Sequence, residues 1–125
     1  AAEDRRKRAA DAAFKAFPRL QRIAATTRAQ HAVDALDYGA VMLTRNGAHS
    51  EAAVALGGIV DRVGTGDAFA AGVIHGLLVG DSDGDALKFG HAAACLKHSI
   101  PGDFLTLGAK DVRAAMADGG LDVKR

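Results

Sequence analysis

The stretch from Asp61 to Gly72, DRVGTGDAFAAG, sets Gly64, Thr65 and Gly66 directly before a carboxylate, Asp67. An extended approach, LGGIVD, precedes it and a helical pattern, AFAAGVIHGLL, follows, so the glycines stand at a helix start. There the backbone N–H groups of Gly64, Thr65, Gly66 and Asp67 lack acceptors inside the helix. The helix dipole adds partial positive charge, and the two together make an anion site. Two phosphate-binding patterns are excluded. No Gly-Lys-Ser/Thr follows for a P-loop, and Phe69 stands where the dinucleotide fingerprint needs its third glycine. An acid beside bound phosphate repels it in the ground state, so Asp67 is a poor choice for binding alone. It makes sense as a base: transfer of a phosphoryl group from ATP to an alcohol needs N–H groups for the developing charge and a carboxylate for the hydroxyl proton. The plainer alternative is that Asp67 caps the helix and the glycines turn the chain.

Other residue sets could do chemistry, and each has a simpler account beside it. His91, Cys95 and His98 fall on one helical face at i, i+4 and i+7, with side chains that bind zinc, but no fourth ligand is in view. A small buried thiol flanked by two partly exposed imidazoles accounts for them, and no metal site is expected. Asp81, Asp83 and Asp85 mimic the start of a calcium loop, which then fails at Ala86 and Ala92, where a glycine and a glutamate belong. His75 either approaches a ligand or packs in the core. Arg5 to Arg8, RRKR, reads as a solvated helix face.

These residues have to be positioned by elements of two kinds. Glu3 to Phe17 is rich in helix formers and stops at Pro18. Arg22 to Thr27 reads as a strand, as does Gly39 to Gly47, which closes on the turn pair Asn46-Gly47 with SEAAVAL as the returning strand. Ala68 to Val79 is predicted to be a buried helix, with Phe69, Val73 and Leu77 on one face and Gly72 and Gly76 admitting a neighbouring backbone. A helix over Ala86 to His98, capped by Asp83 or Asp85, and a short one over Ala109 to Ala117, ending before Gly119-Gly120, complete the set. Alternation of helices and strands early, with helices late, makes the class α/β.

The chain has 125 residues, of which 49% are hydrophobic, enough for one domain with a core of its own. Lys+Arg 16 against Asp+Glu 15 leaves a net charge of +1, with no field to draw nucleic acid or an acidic membrane. Aromatic residues make up 5% and tryptophan is missing, which argues against a stacking platform for single strands. A single cysteine, Cys95, cannot form an internal disulfide, and no apolar run approaches the ~20 residues of a membrane span. A cytoplasmic setting is expected. The start lacks both a methionine and the apolar centre of a secretory signal, and is read as trimmed or truncated.

DRVGTGDAFAAG resembles the second signature of the ribokinase-like (PfkB) carbohydrate kinases, Asp-Thr-x-Gly-Ala-Gly-Asp followed by an aromatic residue and Ala-Gly. The resemblance implies a Rossmann-like three-layer α/β/α fold, Asp67 as catalytic base, and Gly64, Thr65, Gly66 and Asp67 as anion hole. It implies ATP with Mg²⁺, and often a monovalent cation such as K⁺, held here near Asp61 and Val63. Arg62 and Thr65 depart from the signature, which has Thr or Ser and Ala or Gly at those places. Ala92 to Phe104, AAACLKHSIPGDF, is similar to a segment of the 2-keto-3-deoxygluconate kinases, a PfkB subgroup that phosphorylates a six-carbon keto acid at its terminal hydroxyl. By that likeness Ala93, Leu96, Lys97 and His98 border the adenine. Thr27 and Arg28 fall where the family has a strand ending in Thr-x-Gly at the nucleotide, although the glycine is missing. The likeness covers residues 1–125 only as the carboxy-terminal portion of such a kinase, without the sugar-binding lid. The implied partners are therefore ATP, a sugar acid and the missing amino-terminal kinase portion, and a homo-oligomer also stands open. The rival expectation is a noncatalytic nucleotide-binding module or an inactive kinase fragment.

Overall fold

The computed structural model describes residues 1–118 as four helices and a three-stranded sheet. Helix α1 spans Ala2–Ala16, with Glu3 and Asp4 in its first turn, where the dipole favours them, and it buries Ala10 and Phe14. Strands β1 (Arg22–Ala32), β2 (Ala35–Thr44) and β3 (Gly47–Leu56) form an antiparallel meander in the order β1-β2-β3. The α/β class stands. The expected strand beginning at Arg22 runs on to Ala32, and the one expected from Gly39 begins at Ala35.

The turn between β2 and β3 falls one residue earlier than Asn46-Gly47. Thr44 pairs with Gly47, leaving Arg45 and Asn46 in the bend. Arg45 accounts for the shift. From the turn its guanidinium lies 5.0 Å from the Phe14 ring centroid and donates to the carbonyls of Phe14, Phe17, Pro18 and Leu20, tying the end of α1 to the sheet.

Alternation decides which face of β2 is buried. Leu36, Tyr38, Ala40 and Met42 point one way and pack with Phe69, Val73, Leu87, Ala94 and Cys95 from two helices, α2 (Thr65–Leu78) and α3 (Asp83–Lys97). The N-cap of α3 is Ser82, and not Asp83 or Asp85: the Ser82 hydroxyl accepts from the Asp85 N–H at 3.2 Å. Asp83 instead accepts from Arg22 Nε at 2.7 Å, and Asp81 from Arg113 at 3.3 Å. Helix α4 (Ala109–Asp118) buries Val112 against Phe89, Ala92 and Ala93 of α3. The stop expected at Gly119-Gly120 lies outside the described residues.

Glycines set the α2–α3 contact, as the sequence indicates for Gly72 and Gly76. A Cβ on Gly72 would sit 2.6 Å from Gly90 Cα, and one on Gly90 would sit 2.8 Å from Phe69 O. Backbone at such range cannot step aside cheaply. Gly72→Ala is expected to lower unfolding stability by about 1–2 kcal/mol, the clash outweighing the roughly 1 kcal/mol of helix propensity that alanine adds. Gly47→Ala, with nothing within 4 Å of the added Cβ, is expected to stay within about 0.5 kcal/mol of wild type. Urea unfolding of the two variants checks the difference.

Candidate active site

Strand β3 ends at Leu56, and the chain crosses to α2 through a loop held at several points. Ile59 N–H donates to Asp34 O at 3.0 Å, and the N–H groups of Val60 and Asp61 share His98 O at 2.9 and 3.3 Å. The Asp61 carboxylate bridges this loop to the one after α3. One oxygen takes the Val63 N–H and the other the Gly102 N–H, both at 2.9 Å. Those two amides hold its carboxyl below the usual carboxylate range. Asp61 and Val63, expected near a monovalent cation, are thus placed as a loop bridge and one of its donors.

Gly64 is the N-cap of α2, in the left-handed region at φ 85°. Only glycine fits there on two counts, since a Cβ would also lie 2.2 Å from Asp103 O. Thr65 turns its polarity inward: both its N–H (3.3 Å) and its hydroxyl (2.9 Å) donate to Arg62 O. Among the described residues no acceptor takes the N–H of Gly64, Gly66 or Asp67. Of the four amides expected to form an anion site, three are therefore unclaimed among the described residues, and the Thr65 N–H is directed to the protein itself.

Asp67 is the third residue of α2, is exposed, and does not cap the helix, because the cap position belongs to Gly64. Among the described residues its carboxylate accepts no hydrogen bond. It lines a cleft of about 360 Å³ bounded by α2, the loop over residues 101–107 and α4. His75 lines the same cleft with its ring 5.2 Å from that of Phe89, and Phe104 flanks the mouth with most of its ring exposed. Neither Asp103 nor Phe104 was singled out for this role from sequence; they lie beyond the glycine motif, and only the Asp103 contact at Gly64 reveals the packing.

The expected nucleotide-binding positions divide between two sides of α3. Ala93 and Leu96 pack toward α4, with Ala93 lining the cleft. Lys97 is buried and donates through Nζ to Ile100 O at 2.7 Å. His98 and Arg28 meet instead around Tyr38. The His98 ring stands edge-on to Tyr38 at 4.9 Å, and the Arg28 guanidinium lies 5.6 Å from the Tyr38 centroid. Thr27 pairs with Gly39 across β1 and β2. His91 and His98, expected to be partly exposed, are both buried, because the α3 face that carries them packs on Tyr38 of the sheet. His91 is engaged with Tyr38 O at 2.7 Å, and Cys95 packs in the core between sheet and helices.

The pfkB family carbohydrate kinase model matches residues 9–104. The chain belongs to this family. It is 51% identical over 45 residues to the 2-dehydro-3-deoxygluconokinase of Bacillus subtilis (strain 168), covering 36% of this chain and 14% of that protein. It is 33% identical over 66 residues to the 2-dehydro-3-deoxygalactonokinase of Haloferax volcanii, covering 53% of this chain and 21% of that protein. The crystal structure of a PfkB family carbohydrate kinase from Listeria grayi superposes with a TM-score of 0.82 at 33% identity, over 86% of this chain and 34% of that one. The chain therefore spans about a third of that kinase and less of the two curated relatives. The ribokinase-like fold expected from the signature is supported by this superposition. Among the described residues no helix is long and apolar enough to cross a membrane.

Kinases of this family use ATP and a divalent metal. Among the described residues no group of three or more His, Cys, Asp or Glu side chains comes together to hold one.

Burial lowers the His98 pKa from the ordinary imidazole value, opposed in part by its bond to Ala94 O. A depressed pKa means that the neutral ring stabilises the fold. Its contribution is complete above the unfolded value, about pH 6.5, and is lost as pH falls through the folded value. Urea unfolding from pH 7 to pH 5 is expected to show declining stability, with a shallower decline in His98→Asn; equal slopes contradict it.

Proposed function

We propose that this chain is the phosphoryl-handling, carboxy-terminal portion of an ATP-dependent kinase acting on a six-carbon 2-keto-3-deoxy sugar acid, with 2-keto-3-deoxygluconate the foremost candidate and its 6-phosphate the product. Family membership supports the reaction class, and the names of two relatives support the acid, agreeing on the 2-dehydro-3-deoxy class and differing in the sugar. The observation that carries the reading is the head of α2: a carboxylate, Asp67, with no partner among the described residues, within one helical turn of the amides of Gly64, Gly66 and its own backbone, which have no acceptor there either.

In this mechanism the terminal hydroxyl of the acceptor donates its proton to the Asp67 carboxylate as its oxygen bonds to the γ-phosphorus of ATP. The bond from that phosphorus to the bridging oxygen breaks, and ADP leaves with the electron pair. Charge on the transferring phosphoryl oxygens meets the N–H groups of Gly64, Gly66 and Asp67, which need no rearrangement to receive it. Neither the alcohol nor the nucleotide is enclosed by this chain alone. The outer edge of β1 has no paired strand among the described residues, and a groove of about 440 Å³ between β1 and α2 is lined by Ala25, Phe69 and Ile74. Exposed Ile74 and Leu78 on α2 extend that apolar face. These features support docking of an amino-terminal kinase portion that would carry the sugar-binding lid. A cytoplasmic setting accords with this chemistry, because ATP is the donor.

Calorimetric titration with ATP and Mg²⁺, followed by a coupled kinase assay with the keto-deoxy sugar acid, tests the reading on the 125-residue chain and on a longer polypeptide that carries it. In the longer polypeptide Asp67→Asn is expected to keep ATP affinity within about twofold while turnover falls by roughly 10²–10⁴-fold, the usual range for a general base. Unchanged turnover in Asp67→Asn ends the assignment of the base. Nucleotide binding without turnover in wild type favours a noncatalytic module.

A further inference from the structure

Arg62 departs from the family signature, and its two ends are occupied in different parts of the molecule. Its guanidinium reaches the turn between β1 and β2: Nη1 donates to Gln30 Oε1 at 2.9 Å, and Nη2 donates to the carbonyls of Ala32 and Val33. A register shift between Gln30 and Ala32 interrupts the β1–β2 ladder there, at the point where Arg62 meets it. Gln30 is itself fixed, since its Nε2 donates to Ala32 O at 3.1 Å. The same turn receives Ile59 N–H at Asp34 O, so the loop leading to α2 is tied to the hairpin tip twice, four residues apart in sequence at most. At its other end Arg62 presents its carbonyl to Thr65, accepting both the N–H and the hydroxyl.

We propose that Arg62 is the positioning residue of the anion site: it locks the hairpin tip to the loop before α2, and through Thr65 fixes the first helical turn with the amides of Gly64, Gly66 and Asp67 directed outward. This inference rests on the anion-binding role of those amides. A planar guanidinium with several N–H donors suits acceptors spread over a side chain and two carbonyls, whereas an ammonium offers one nitrogen for all of them. The shape of the fork is therefore required, and the positive charge alone does not replace it. The residue does not touch the transferring group. It acts through Thr65, and the Thr65 hydroxyl, unusual for the signature, is the second half of the same device.

The test follows amide NMR shifts of the 125-residue chain during titration with inorganic pyrophosphate, for wild type, Arg62→Lys, Arg62→Met, Gln30→Ala and the double variant Gln30→Ala/Arg62→Met. Wild type is expected to respond at Gly64, Gly66 and Asp67. Arg62→Lys and Arg62→Met are both expected to bind about tenfold more weakly, with Lys giving no rescue. Gln30→Ala alone is expected to weaken binding about two- to threefold, and the double variant to be no weaker than Arg62→Met, because one linkage is being cut twice. Full affinity in Arg62→Lys would show that charge suffices and would overturn the proposal, as would additive losses in the double variant. A wild-type chain whose three amides do not respond would overturn the anion-site reading itself, a result distinct from wild-type response with unaffected variants. A variant that unfolds is recognised by collapse of its whole amide spectrum, and Gln30→Ala at the exposed tip then carries the test: unchanged affinity in it contradicts the linkage.

Discussion

A helix has no intrahelical acceptors for its first N–H groups, and what a protein does with them at the head of α2 governs the rest of this structure. Three of these amides, at Gly64, Gly66 and Asp67, are left without a protein acceptor among the described residues, while Thr65 is drawn back to Arg62 O. Leaving donors unpaired is tolerable only where something outside the fold can meet them. The neighbouring carboxylate of Asp67 makes simple retention of an anion a poor use for the arrangement and proton removal from an incoming alcohol a better one. The same four residues thus hold both an attraction and a repulsion for phosphate. Those two effects act on different partners once an acceptor hydroxyl is present.

Everything packed around that helix start limits its freedom. Glycines at 72 and 90 bring α2 against α3 at backbone range, and the buried row of β2 holds both helices to the sheet. On the far side, Asp61 binds the loop before α2 to the loop after α3 through Val63 and Gly102, and Asp103 O presses close enough to Gly64 to exclude any side chain there. The amides proposed as an anion site are therefore backbone of a helix start, clamped by elements on three sides: hairpin tip, sheet-facing helix pair, and the strap that precedes α4.

Local chemistry was legible in the sequence where residue type alone decides geometry. The helix start at Gly64 to Asp67, the α2 apolar face and the glycine contacts at 72 and 76 all follow from patterns of a few residues. The limits of the strands were less legible, because β1 and β2 are extended by pairing with each other and not by propensity within either segment. The turn at Arg45-Asn46 escaped for a similar reason: the four carbonyls that Arg45 collects come from residues 14 to 20, and no local turn rule registers them. At the site, spacing could not tell a capping aspartate from a free one. The left-handed Gly64 decides this by taking the cap position itself. The positions expected around adenine follow one another along α3 and its C-cap, and helical geometry separates them, with Ala93 and Leu96 turned to α4 while His98 meets Tyr38.

The most direct test of the account is a crystal structure of the kinase polypeptide carrying this segment, grown with ADP, Mg²⁺, aluminium fluoride and the keto-deoxy sugar acid to mimic the transferring phosphoryl group. The account predicts fluoride atoms within about 3 Å of the N–H groups of Gly64, Gly66 and Asp67, with the acceptor hydroxyl in hydrogen-bond contact with the Asp67 carboxylate. An analogue seated elsewhere, or a hydroxyl met by another base while Asp67 faces solvent, would contradict it.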